Sequence, residues 1–168
     1  MKNSAAIWVI VVVLLASVGA LYFKLHRLET QTAALKEAAP GLGEYMTTMQ
    51  LHAGKLWFAA KASNWPLAAY ELDEMKETME AAQGLGAEKN GVKIAAVLDS
   101  VLKSQVAALA ETVKTKNAAK FQKAYDETLA ACSGCHAEAS YPFIRIVRPA
   151  APPVTNQRWE PETKRPKP

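Results

Sequence analysis

Cysteine is scarce in this chain: two in 168 residues, both inside one five-residue stretch, so no disulfide framework holds the fold. Histidine is limited to His26, His52 and His136. No part of the chain beyond its N-terminal run alternates apolar and polar residues as a half-buried strand does. No Ser-His-Asp grouping, paired carboxylates or glycine-rich phosphate loop occurs, and the chain is expected not to be an enzyme. A strong charge of one sign is also missing. The formal balance is +4, and it is uneven: residues 29–140 carry 11 Lys and Arg against 14 Asp and Glu, whereas residues 141–168 carry 6 against 2. The high pI therefore belongs mostly to the tail, which argues against nucleic acid as a partner.

What is present is Cys132-Ser133-Gly134-Cys135-His136. C-x-x-C-H is the attachment signature of a c-type haem: each cysteine adds to a porphyrin vinyl group as a thioether, and the adjacent histidine is placed to ligate the iron. On a helix, positions i and i+3 share a face and i+4 follows closely, so one turn presents all three side chains to one flat macrocycle. Three other readings compete. A thioredoxin-like redox pair needs a βαβ context that is missing here. A zinc site wants four ligands, and the remaining histidines are far away in sequence. A plain disulfide leaves His136 without a role. The motif predicts one covalently attached haem c, held by Cys132 and Cys135, with His136 on the proximal side of the iron.

Ala5 to Phe23 is a 19-residue run without charge, preceded by Lys2 and followed by Lys24, His26 and Arg27. At 1.5 Å per residue it comes close to spanning a hydrocarbon layer of ~30 Å, and Trp8 and Tyr22 sit near its ends, as interfacial rings do. Residues 1–24 are read as a transmembrane anchor, with a cleavable signal peptide as the competing reading. Basic residues on both flanks leave the orientation open. Covalent haem attachment in bacteria is associated with the periplasmic side, so the expectation is a single-pass inner-membrane protein with its haem domain in the periplasm.

Residues 25–40 read as a helical stalk or linker ended by Pro40-Gly41. Between residues 41 and 141, apolar residues recur at helical spacing in four stretches. They are Leu42 to Ala62, Leu67 to Gln83, Val92 to Lys114, and a last one capped by Asn117 and stopped at Tyr141-Pro142. Asn64-Trp65-Pro66 separates the first two, and Gly84-Leu85-Gly86 with Asn90-Gly91 marks a loop. The second stretch is expected to bury Leu67, Tyr70, Leu72, Met75 and Met79 and to turn Glu71, Asp73, Glu74, Glu77 and Glu80 to solvent. The fold class is all-α: an antiparallel up-down-up-down four-helix bundle with an N-terminal transmembrane helix.

Four amphipathic helices with Cys132-Ser133-Gly134-Cys135-His136 near the end of the last resemble the class II c-type cytochromes, the cytochrome c prime family and its low-spin relatives. The resemblance covers about residues 42–140, and the anchor and the tail fall outside it. It implies thioethers at Cys132 and Cys135 and proximal ligation by His136. The family often carries an arginine in the first helix near the haem propionates. Residues 42–62 contain none, and Lys55 is the nearby basic residue.

Members of that family differ in whether the first helix supplies a sixth iron ligand. Here it offers Met46, Met49 and His52. Counted from Pro40, the family's facing position falls near Leu51 or His52, so height along the helix favours His52. Helical phase favours Met49, the centre of the apolar stripe, with His52 about 60° to one side and Met46 about 60° to the other. His52 is the first candidate and Met49 the alternative; Met46 or no protein ligand also stays open. Leu56-Trp57-Phe58 and Trp65 read as core packing or as haem walls.

Residues 142–168 form an extended, proline-rich basic tail. Phe143-Ile144-Arg145-Ile146-Val147-Arg148 either wraps back on the bundle or docks a partner protein, with anionic lipid as a weaker option. The functional expectation is a membrane-anchored monohaem cytochrome that passes single electrons between redox partner proteins, within a larger membrane complex or outside one. Two rivals stand beside it: a gas-binding or sensing protein with an open distal site, and a structural haem subunit of a membrane complex.

Overall fold

The structure is a computed structural model that describes residues 2–162. Met1 and residues 163–168, the last six of the tail, lie outside the described residues. The chain divides into two compact units, Met1–Pro40 and Gly41–Pro168. The first is one helix, α1 (Lys2–Ala38), so the two segments that the sequence separates at residue 24 are continuous. It is long and apolar enough to cross a membrane, over Ile10–Leu35.

The second unit carries α2 (Leu42–Lys61), α3 (Trp65–Gln83), α4 (Ile94–Val101), α5 (Ala107–Lys114) and α6 (Ala118–Glu138). A π-helical segment, Leu102–Val106, joins α4 to α5 without a break. Local chemistry explains where the helices start. Asn64 Oδ1 accepts from the Leu67 amide, with Pro66 in the first turn of α3, and Asn117 Oδ1 accepts from the Lys120 amide at the start of α6. The ends share one device. Ser63, Lys116 and Ser140 take the left-handed conformation just past α2, α5 and α6. The next amide in each case reaches back to the carbonyl of Ala59, Thr112 or His136, closing a Schellman turn. α6 therefore stops at Glu138, ahead of the Tyr141-Pro142 stop expected from sequence.

Two short strands, β1 (Glu88–Lys89) and β2 (Val92–Lys93), pair antiparallel about Asn90-Gly91, where no strand was expected. Both turn residues have positive φ, the requirement of a tight hairpin turn, and a ladder of two residues is too short to show alternation. Asn90 Nδ2 donates to the Ala139 carbonyl (2.6 Å) and ties the hairpin to the end of α6.

One core joins α2 to α6, with Leu56, Ala59, Ala68, Val106 and Leu109 essentially inaccessible. α2 and α3 make the most extensive helix pair, and the small residues Ala53, Ala59, Ala60 and Ala68 are buried on them. The α3 stripe differs from the expected one. Its buried positions are Ala68, Leu72, Met75, Met79 and Ala82; Tyr70, two residues off that stripe, is 55% exposed. Glu71, expected in solvent with the other acids, is 1% exposed. The reason is pairing: its carboxylate accepts from His52 Nδ1 at 2.8 Å and lies 3.6 Å from Lys55 Nζ. Sequence also passes over Val106. The five-residue step from Val101 to Val106 accommodates one extra residue in the turn, as a π segment does, and both side chains are buried.

The tail belongs to this second unit and wraps back on it. The Ile146 amide donates to Ser133 Oγ (2.9 Å), and Arg148 forks onto both carboxylate oxygens of Asp126. Pro153 lies against Gly54, where a Cβ would come within 3.2 Å of the proline ring, and Trp159 packs on Phe58.

Candidate cofactor site

The last turns of α6 carry Cys132, Cys135 and His136, and all three line one apolar cleft of about 580 Å³. That volume lies within the ~300–1,000 Å³ of cofactor and small-molecule pockets. α2 contributes Met46, Met49 and Ala53, which share a stripe at i, i+3 and i+7. α3 contributes Met75 and Met79, and Ile94, Leu98 and Val101 of α4 and Leu109 of α5 complete the wall. The two buried hydroxyls that reach the cleft are satisfied internally. Tyr125 Oη donates to the Ala53 carbonyl (2.8 Å) and Thr128 Oγ1 to the Ala124 carbonyl (2.8 Å). Among the described residues, no buried side-chain nitrogen or oxygen lacks a partner. Little polar surface remains for a hydrophilic ligand to recognise.

Both cysteines are free thiols. Burial pushes Cys132 up to about 11, with the neighbouring Cys135 adding to the effect, and it raises Cys135 as well, helped by Glu138. Neither has the electropositive surroundings that make a thiol a ready redox nucleophile. His136 has its Nδ1 3.2 Å from the Ile144 carbonyl. Donation to that carbonyl leaves Nε2 as the ring nitrogen with a free lone pair, the arrangement common to metal-ligating histidines.

The three candidates on the first helix separate by face. Met46 and Met49 line the cleft; His52 does not. Its imidazole is held against Glu71 on α3, as described above. Lys55 shares that carboxylate and is likewise absent from the cleft wall, where Lys89 of the hairpin is the basic residue. Trp57, Phe58 and Trp65 also lie outside the cleft lining. Trp57 and Trp65 pack with Phe121 in an aromatic cluster that extends to Tyr125.

Several residues of the site escape sequence reading. Met75 and Met79 carry a signal as an i, i+4 pair on an apolar stripe, but only packing aims them at the cleft. Lys89 and Ile144 carry none, since a hairpin and a returning tail bring them there.

The donor set fits a c-type haem: two thiols and an imidazole on one helical turn, thioethers across from them, and apolar walls of cofactor size between. Comparison with known protein families, with curated proteins and with solved structures finds no match to this chain.

Proposed function

We propose that residues 41–141 form an antiparallel up-down-up-down four-helix bundle that binds one haem c, and that the chain is a membrane-anchored, periplasm-facing electron-transfer cytochrome similar to the class II c-type cytochromes. The observation that carries this reading is the convergence of the Cys132-Ser133-Gly134-Cys135-His136 turn and Met49 on a single apolar cleft. Cys132 and Cys135 would hold the porphyrin as thioethers, and His136 would supply the proximal nitrogen. Met49 would supply the distal thioether, since it lines the cleft while His52 is engaged with Glu71. Bound there, haem supplies one-electron exchange between ferric and ferrous iron.

The chain's own share is attachment, exclusion of water and orientation of the axial side chains. The buried methionines and aliphatic residues keep the local dielectric low, which disfavours extra charge on the iron, and a thioether ligand raises the potential relative to a second imidazole. Lys89 at the cleft wall would supply a counter-charge for the haem propionates, the role that the resemblance gives to a first-helix arginine. α1 would hold the domain at the inner membrane, within reach of redox partners.

The test is the mass of the full chain produced in a host with a c-type haem maturation system. One haem added covalently, and lost from the Cys132→Ala/Cys135→Ala variant, supports the reading. An unmodified polypeptide removes it. A low-spin spectrum in both oxidation states without carbon monoxide binding separates electron transfer from gas sensing.

A further inference from the structure

We propose that the segment following α6, from Tyr141 to Arg148, is a positioning strap for His136. It presents the Ile144 carbonyl to the ring and so selects which imidazole nitrogen is left for a metal. The inference deepens the haem reading and rests on it for its functional meaning; the underlying contact is a property of the polypeptide.

The chain is turned back beside the ring in two steps. The Schellman turn at Ser140 (φ 68°) brings the Tyr141 amide onto the carbonyl of His136 itself at 2.7 Å. A second turn follows, in which the Ile144 amide donates to the Tyr141 carbonyl at 3.0 Å. The carbonyl of Ile144 then lies 3.2 Å from His136 Nδ1. A carbonyl can only accept, so Nδ1 carries the proton and Nε2 keeps its lone pair.

Two pins hold the strap in register. The nearer is Ser133, whose Oγ accepts from the Ile146 amide at 2.9 Å. Ser133 is an intervening residue of the C-x-x-C-H motif and takes no part in covalent attachment. The farther pin is Arg148, which forks onto Asp126 while its guanidinium carbon lies 4.7 Å from the Trp57 ring centroid. Asp126, Ser133 and His136 fall within an arc of about 80° on α6 at 100° per residue, so one helix face carries both pins and the ring. The strap's contacts come from Tyr141, Ile144, Ile146 and Arg148, whereas Phe143 and Val147 are 77% and 70% exposed. An acceptor on the far nitrogen of a ligating imidazole fixes its tautomer and orientation and raises its basicity. A more basic ligand favours the higher oxidation state, so loosening the strap raises the reduction potential.

The experiment uses the full chain and two readouts. The first is the protonation site of the His136 ring in the haem-free protein, read by nitrogen-resolved NMR. The second is the reduction potential of the haem-loaded protein. The parent and Ser133→Thr are expected to be protonated on Nδ1 with matching potentials. Ser133→Ala, and independently Arg148→Ala at the distant pin, are expected to give mixed tautomers and a higher potential while thermal unfolding stays cooperative. A parent ring protonated on Nε2 overturns the proposal, as do tautomer and potential unmoved in both alanine variants. A chain that follows Ser133 in its tautomer but acquires no haem sinks the haem reading and leaves the strap standing. A haem-loaded chain indifferent to Ser133 and Arg148 does the reverse.

Discussion

Replacing His52 by alanine separates the two roles that its position allows. In the structure its Nδ1 donates to Glu71 Oε2 at 2.8 Å, and Glu71 is 1% exposed. Lys55 Nζ lies 3.6 Å from the other carboxylate oxygen. Removal of the imidazole leaves a buried carboxylate with one distant cation. Breaking a buried pair in this way costs about 3–5 kcal/mol, and the remaining Lys55 places the loss near the lower end, about 3 kcal/mol. For a domain of this size that corresponds to a fall of about 12 °C in Tm, at roughly 4 °C per kcal/mol. The assay is thermal unfolding followed by circular dichroism, with Glu71→Leu and the double variant completing a cycle. The double variant should lose less than the sum of the singles, because Glu71→Leu removes the charge that His52→Ala strands. The absorption spectrum of the haem-loaded variant should be that of the parent, since His52 is outside the cleft lining. A Tm within about a degree of the parent would refute the buried-pair reasoning on this scale. A change to a high-spin spectrum would show instead that the imidazole binds iron.

Met49→Ala should do the opposite, converting a low-spin spectrum to high-spin with a smaller effect on Tm, whereas Met49→His should stay low-spin at a lower potential; electronic absorption and redox titration check both. In the haem-free chain, burial holds Cys132 protonated up to about pH 11, whereas the unfolded thiol ionises near 9. The unfolded state then binds fewer protons between those values, so stability is full below about pH 9 and falls by about 3 kcal/mol as pH rises to about 11. Unfolding across that range should show the slope reduced in Cys132→Ala. Lys116 sits at φ 54° in the turn after α5, and Lys116→Gly should raise stability by about 0.5–1 kcal/mol, because a left-handed non-glycine residue is strained. A lower denaturation midpoint for that variant would contradict the assignment of strain.

Helix-level organisation was open to sequence reading because it is carried by local signals. Asn64 and Asn117 announce their helices through short polar side chains that cap the first turn, and Pro40-Gly41 marks the division between the units. Asn90-Gly91 announced a turn, although the two-residue strands beside it left no periodic trace. The cysteine-histidine motif is equally local, since one helical turn places its three side chains together. Glu71 shows where such reading stops. Its neighbours Asp73, Glu74 and Glu77 make it look solvated, and only the approach of α2 supplies the His52 and Lys55 that let a carboxylate be buried.

Sequence alone determined the main helices and the placement of the motif's two thiols and imidazole on one turn, because capping, helical period and the i, i+3, i+4 spacing act within a single turn. Which of Met49 and His52 lines the cleft, the methionines of α3 beside the cysteines, and the return of the tail to His136 were decided by tertiary structure. Each depends on which helix face meets which neighbour. A difference of about 60° in phase separates a side chain in the cleft from one locked against α3, and that rotation is settled by packing across helices that are distant in sequence.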